Sequence, residues 1–250
     1  MASSRNYCES YLEYRRRTNY PEVFAATMNK IRGAVNLDSV RCCVTVGPGD
    51  GLYEVEFIRQ LVPNVEKLVA VERDRELAQH LRSRLAKSLP AVDARLFETD
   101  FHRWDGPEHP VDLVLMFDMM YYISRDEMRQ LFAKVHGRWL VSGGFLAMVH
   151  RSGARSGANA ILRRLEKPPQ SLDEIEFDLL QTGFVKVHAR EMPIVQDFSN
   201  PDASLLHFYK DRLHARTLTL DEFRDLLQEL YPEGKSRTFR SLAVFKKEQQ

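Results

Sequence analysis

The 250-residue chain is longer than a typical domain but within reach of one α/β unit with insertions, and its 44% hydrophobic and 28% charged residues exclude a disordered polymer. With 36 Lys and Arg against 35 Asp and Glu, the formal charge of +1 creates no domain-wide basic field for nucleic acid. No apolar stretch approaches the ~18 residues of a spanning helix and no apolar leader core opens the chain, so a cytoplasmic, membrane-free monomer acting on a small molecule is expected.

Residues 7–31 carry a helical pattern interrupted near Pro21, after which Val23, Phe24, Met28 and Ile31 recur on one face. Before the break, Tyr7, Tyr11 and Tyr14 share a face, and Arg15, Arg16 and Arg17 read as a solvated one. Residues 1–39 are therefore expected to form an N-terminal helical cap. From Val40 short β-rich runs at 42–46, 67–72, 91–97, 112–117 and 137–149 alternate with helical segments near 52–61, 74–88 and 125–136. That alternation predicts βαβ units, with 40–150 as the core of a doubly wound, mostly parallel sheet.

Further along, the pattern predicts helices near 155–166 and from Ser171, a strand at 183–191 and a last strand at 240–247, seven strands in all. Residues of about 192–235 read as an insertion over the ligand edge of the sheet. It holds Pro193, Asn200, Pro201 and Asp202, then a helix from Thr219 with Phe223, Leu226, Leu227 and Leu230 at core spacing. This makes 1–250 one domain whose C-terminal half, 151–250, carries the insertion. Cys8, Cys42 and Cys43 have no framework spacing and are expected to be reduced. The eight histidines form no HExxH and no i, i+4 pair, so no metal site is expected.

The sharpest local signal is Val44-Thr45-Val46-Gly47-Pro48-Gly49-Asp50-Gly51, a strand running into glycines at alternate positions and then a helix from Leu52. Glycines admit positive φ and let a ligand approach the main chain, and the turn falls at the carboxyl end of a strand, where open α/β sheets bind ligands. The GxGxG spacing differs from the GxGxxG of pyrophosphate binders, and a carboxylate such as Asp50 beside it suits an ammonium group. S-adenosylmethionine, which has no phosphate, fits both features. Glu72 ends the second strand, where an acid reaches a ribose diol with charged hydrogen bonds. Thr99 and Asp100 follow the third strand and could bracket adenine or serve as caps. Asp118 ends the fourth strand, just before Met119-Met120-Tyr121-Tyr122.

At these residues the chain resembles the histamine N-methyltransferase family of class I S-adenosylmethionine-dependent methyltransferases. The resemblance runs from Met-Ala-Ser-Ser and Tyr7-Cys8-Glu9-Ser10-Tyr11 through the glycine turn and Glu72 to Ser241-Leu242-Ala243-Val244. It is most specific in Phe117-Asp118-Met119-Met120-Tyr121-Tyr122-Ile123, where the family has an apolar-Gln-Met-Leu-Tyr-Tyr-Val stretch. It implies a Rossmann-like class I methyltransferase and a donor site at Gly47, Gly49, Glu72, Thr99 or Asp100, and Phe117, to which the glycine turn itself adds Asp50 and Gly51. It also implies an aromatic acceptor pocket from Tyr7, Tyr11, Tyr121 and Tyr122. Where the family contacts histamine through a Glu, a Gln and an Asn, this chain holds Tyr20 (Glu22 nearby), Asp118 and Thr238.

The implied acceptor is a small amine or imidazole, with Asp118, Tyr121 and Tyr122 at the reacting end. Asp118 is expected to take a proton or hold a cationic tail, and of two adjacent tyrosines at least one should reach the cleft. The competing readings are a metal-dependent O-methyltransferase using Asp118, a non-catalytic module that keeps the donor site, and a nucleic-acid methyltransferase. The last is disfavoured by the near-neutral charge.

Overall fold

The computed structural model describes residues 4–152, 157–166, 172–213, 215 and 217–248. Two helices, α1 (Ser4–Arg16) and α2 (Tyr20–Ile31), precede the alternating core of β1 (Cys42–Val46), α3 (Leu52–Leu61), β2 (Lys67–Val71), α4 (Arg75–Ser88), β3 (Asp93–Phe97), β4 (Val111–Phe117), α5 (Arg125–Lys134) and β5 (Leu140–Arg151). The second half adds α6 (Gly157–Arg164), α7 (Leu172–Gln181), β6 (Phe184–Asp197), α8 (Ala203–Arg212), α9 (Leu220–Leu230) and β7 (Lys235–Lys247). The seven strands form one sheet in the order β3-β2-β1-β4-β5-β7-β6, parallel except for β7, which runs antiparallel to both neighbours. This is the Rossmann-like class I methyltransferase fold.

The central strands are apolar throughout because helices cover both of their faces. In β4 every residue but Asp112 is buried, and Asp112 uses its carboxylate to accept from the N–H groups of Arg41 and Cys42, bracing the entry to β1. Helix starts follow ordinary capping chemistry: Asp74 accepts from Glu76 and Leu77, while Ser124 with Glu127 and Thr219 with Glu222 form capping boxes. One apolar cluster on each side of the sheet makes the core. A third joins Tyr14 to Ile161, Leu206, Phe208, Tyr209 and Phe223, so α1, α6, α8 and α9 pack as one cap.

The insertion is shorter than the sequence suggests. β6 continues to Asp197 and β7 starts at Lys235, leaving 198–234 between them. Within it α8 was not foreseen, because Leu205, Leu206, Phe208 and Tyr209 are all buried and leave no one-sided apolar stripe to read. The strand expected from 137 begins at Leu140, since Val135–Trp139 form a π-helical turn that extends α5. The break between the first two helices lies at 17–19, and Pro21 sits in the first turn of α2, where its missing N–H costs nothing. The helix starts expected near 155 and at Ser171 lie outside the described residues, as do the first three residues of Met-Ala-Ser-Ser. No helix among the described residues is long and apolar enough to cross a membrane.

Candidate active site

A cleft lies across the carboxyl ends of β1, β2 and β4 and beneath α1. Its floor is the glycine turn, with Gly47 at φ +62°, Gly49 at +60° and Gly51 at +73°. A Cβ at Gly47 would stand 3.2 Å from Met119 Cβ, and one at Gly49 2.9 Å from the Tyr11 hydroxyl. Both positions therefore need glycine for backbone angle and for space. Gly47 and Gly49 line the cleft; Gly51 packs instead against Leu81 and is not in its wall.

Glu72 braces the turn as well as facing it. Its Oε2 accepts from the Gly49 N–H and its Oε1 from the Asp74 N–H, each at 2.8 Å. Burial pushes this carboxyl up in pKa against the pull of the two backbone donors. Each oxygen keeps a lone pair for a hydroxyl presented from the cleft. Thr99, Asp100 and Phe117 also line the wall. Asp100 also caps the short turn at Phe101–Arg103 by accepting from the His102 N–H.

Asp50 departs from expectation. Its carboxylate is buried, pairs with Arg15 and lies 2.9 Å from Arg84, and it does not line the cleft. Arg15 is correspondingly a correction to the solvated face read for Arg15-Arg16-Arg17. It is buried over the Tyr53 ring at 4.3 Å, with Nε and Nη2 unpartnered at the cleft wall. The helix turns that arginine inward together with the tyrosines, and leaves Arg16 outside.

The cleft wall is also aromatic, with Tyr11 standing over Gly49. Tyr7, Tyr11, Tyr14, Tyr20 and Tyr122 line it, and the Tyr7 hydroxyl donates to that of Tyr122 at 3.3 Å. Of the adjacent pair, Tyr122 is 39% exposed and Tyr121 only 1%, as the two-faces argument requires. Tyr121 is not in the wall; it donates to Asp118 Oδ1 at 3.0 Å and accepts from the Arg151 N–H at 3.1 Å, so it acts behind Asp118. Thr238, on β7, is buried and likewise outside the wall.

Asp118 holds a positive φ of +56°, an uncommon backbone state that turns its side chain into the cleft. Its carboxylate is not free for a cationic acceptor: it pairs with Arg240 from β7 and lies 3.7 Å from Arg212 at the end of α8. Burial works to raise the Tyr14 phenol, but the guanidiniums of Arg212, Arg240 and Arg151 outweigh it and lower its pKa. Burial and two of the same arginines hold His150, stacked on Tyr121, in its neutral form. Glu54, on α3, also reaches the wall, and burial lifts its carboxyl to about 8. Arg15, Glu54, Arg212 and Arg240 are the site residues that the sequence did not single out. Among the described residues, no group of three or more His, Cys, Asp or Glu could hold a metal ion.

Residues 44–144 match the family model described as a methyltransferase domain. The match covers less than half of the chain. It spans β1 to the start of β5 and so contains the glycine turn, Glu72, Asp118 and the tyrosine pair. No curated protein sequence matches the chain. Among solved structures, a protein of Bacillus halodurans C-125 described as a candidate methyltransferase aligns with a TM-score of 0.63 at 14% identity, covering 90% of this chain and 99% of that one. The geranyl diphosphate C-methyltransferase of Streptomyces coelicolor A3(2) aligns at 0.53 and 19%, covering 89% and 74%. A [4+2]-cyclase, SpnF, aligns at 0.55 and 13%, covering 90% and 81%. These likenesses establish the fold.

Proposed function

We propose that this domain is an S-adenosylmethionine-dependent methyltransferase that methylates a nitrogen of a small amine or imidazole. The observation that carries the reading is one cleft whose wall joins two glycines and a buried carboxylate to several tyrosines. The glycine turn and Glu72 suit the donor, since main chain at positive φ lines the cleft there and Glu72 keeps acceptor capacity for a diol. Arg15, with buried unpartnered donors and a place in the same cleft wall as Gly49, suits the donor's carboxylate. The donor supplies an electrophilic methyl on a sulfonium.

What remains for the protein is to hold an unprotonated lone pair in line, a positioning effect worth up to ~7–11 kcal/mol of barrier. Tyr7, Tyr11, Tyr20 and Tyr122 would enclose a flat or aliphatic acceptor, and the guanidiniums of Arg212 and Arg240 disfavour its ammonium form, which keeps the lone pair available. The same two arginines favour a second reading, O-methylation of an acidic oxygen, because they stabilise an oxyanion nucleophile as well as a neutral amine. A methyl-labelled donor incubated with amines, imidazoles, phenols and carboxylates tests both. Label is expected in a nitrogen-methyl product, resistant to chelators. Label only in oxygen products selects the second reading, and no transfer to any member of the panel contradicts both.

A further inference from the structure

The aromatic wall of the cleft holds more positive charge than its carboxylate neutralises. Arg212 ends α8 and Arg240 sits within β7, and both side chains are buried. Among the described residues Asp118 is the one carboxylate within ion-pair reach of either. Arg151 adds a third buried guanidinium, 4.4 Å over the ring of Tyr121, and Arg212 lies 4.6 Å over the same ring. The pairing with Asp118 also leaves donors over. Arg240 Nε, and Arg212 Nη2 which stands 3.7 Å from Asp118 Oδ1, are buried with no hydrogen-bond partner, and both residues line the cleft.

Buried, charged donors without acceptors oppose folding, so their presence at a cavity wall needs an explanation from outside the chain. The two guanidiniums are held in place rather than loose. Arg212 stands 5.1 Å over the Tyr14 ring and Arg240 4.5 Å over the Tyr20 ring, and Arg240 Nη2 donates to the Tyr14 hydroxyl at 3.3 Å. Two guanidiniums fixed in one cleft wall, each with an N–H lacking an acceptor, match a group with two or three oxygens. An acceptor that is only cationic would meet like charge there.

Resting on the methyl-transfer reading, we infer that the acceptor carries an anionic group, a carboxylate or a phosphate, that docks on Arg212 and Arg240. The methylated atom then sits toward Tyr122 and the glycine turn, and the nitrogen acceptors compatible with the site are amino- or imidazole-carboxylates and their phosphate counterparts. Asp118 divides its charge between the two arginines and so sets their spacing without cancelling them.

Isothermal titration of the full chain, with and without saturating S-adenosylhomocysteine, tests the inference with benzoate, imidazole-4-acetate and phenyl phosphate against benzylamine and histamine. At least one anion is expected to bind about tenfold or more tighter than either cation, and the carboxylate and phosphate arms tell the two sources apart. Arg212→Gln is expected to weaken that anion about tenfold or more while S-adenosylhomocysteine affinity stays within about twofold, and Arg212→Lys to recover part of the loss. Cations binding as tightly as the anions, or an anion indifferent to Arg212→Gln, would overturn it. Failure of S-adenosylhomocysteine to bind the wild-type chain overturns the methyltransferase reading instead, and the cofactor-free titrations still decide this one.

Discussion

Asp118→Asn probes the electrostatics of the site with the least change of shape. Asparagine accepts the φ of +56° as readily as aspartate does, so the backbone stays and one negative charge leaves the gap between Arg240 and Arg212. Breaking a fully buried pair this way costs about 3–5 kcal/mol. Here the carboxylate is 16% exposed and the amide oxygen still accepts one hydrogen bond, so about 1–3 kcal/mol of stability should be lost. For a chain of this length each kcal/mol is worth ~2–4 °C, which places the fall in Tm at about 2–12 °C. Donor affinity, set at the glycine turn, should move by less than about twofold. Benzoate should bind more tightly, because the net positive charge facing it rises. Scanning fluorimetry and calorimetric titration measure all three. A Tm within about 1 °C of wild type, with benzoate unaffected, would show the ion pairs to be screened by solvent and would refute the argument.

Glu72→Ala should weaken S-adenosylmethionine by about 1.5–3 kcal/mol, or ~10–150-fold in Kd, and should also lower Tm because the Gly49 and Asp74 N–H groups lose their acceptor. Unchanged donor affinity in a titration would reduce Glu72 to a brace of the turn. Gly49→Val puts a β-branched residue at φ +60° with its Cβ against the Tyr11 hydroxyl, so donor binding should vanish at a folding cost of about 1–3 kcal/mol, read by thermal melts. Glu54→Gln tests the buried acid on α3. The folded state holds a Glu54 proton up to about pH 8 whereas the unfolded chain releases it near ~4.3, so wild-type stability falls across that window and is level above it. The Tm advantage of Glu54→Gln should therefore grow from about pH 5 to about pH 8; a difference independent of pH would place a charged Glu54 in the fold.

The strands were legible because a buried parallel sheet spells itself in short β-branched runs, and CCVTV, KLVAV and VDLVLMF emerge almost where their patterns put them. The donor end was legible for a related reason: Gly47, Gly49 and Glu72 lie on consecutive elements of one βαβ unit, so local order implies spatial order. The acceptor end was not. Arg212 and Arg240 come from α8 and β7 and meet Asp118 only through tertiary packing, and in sequence each is an ordinary surface arginine. Arg15 was misread because a run of three arginines resembles a solvated stripe, although position 15 turns inward beside Tyr11 and Tyr14. Asp50 was misread because a carboxylate beside a glycine turn says nothing of its partners, and here Arg15 and Arg84 take it.

The central claim is that the glycine turn and Glu72 hold S-adenosylmethionine within reach of the tyrosines lining the same cleft. Titration of S-adenosylmethionine into the wild-type chain and into Gly49→Val tests it most directly. Saturable binding to wild type, displaced by S-adenosylhomocysteine and lost in a folded Gly49→Val variant, is the predicted result. No binding to the wild-type chain, or equal binding to both proteins, would contradict it.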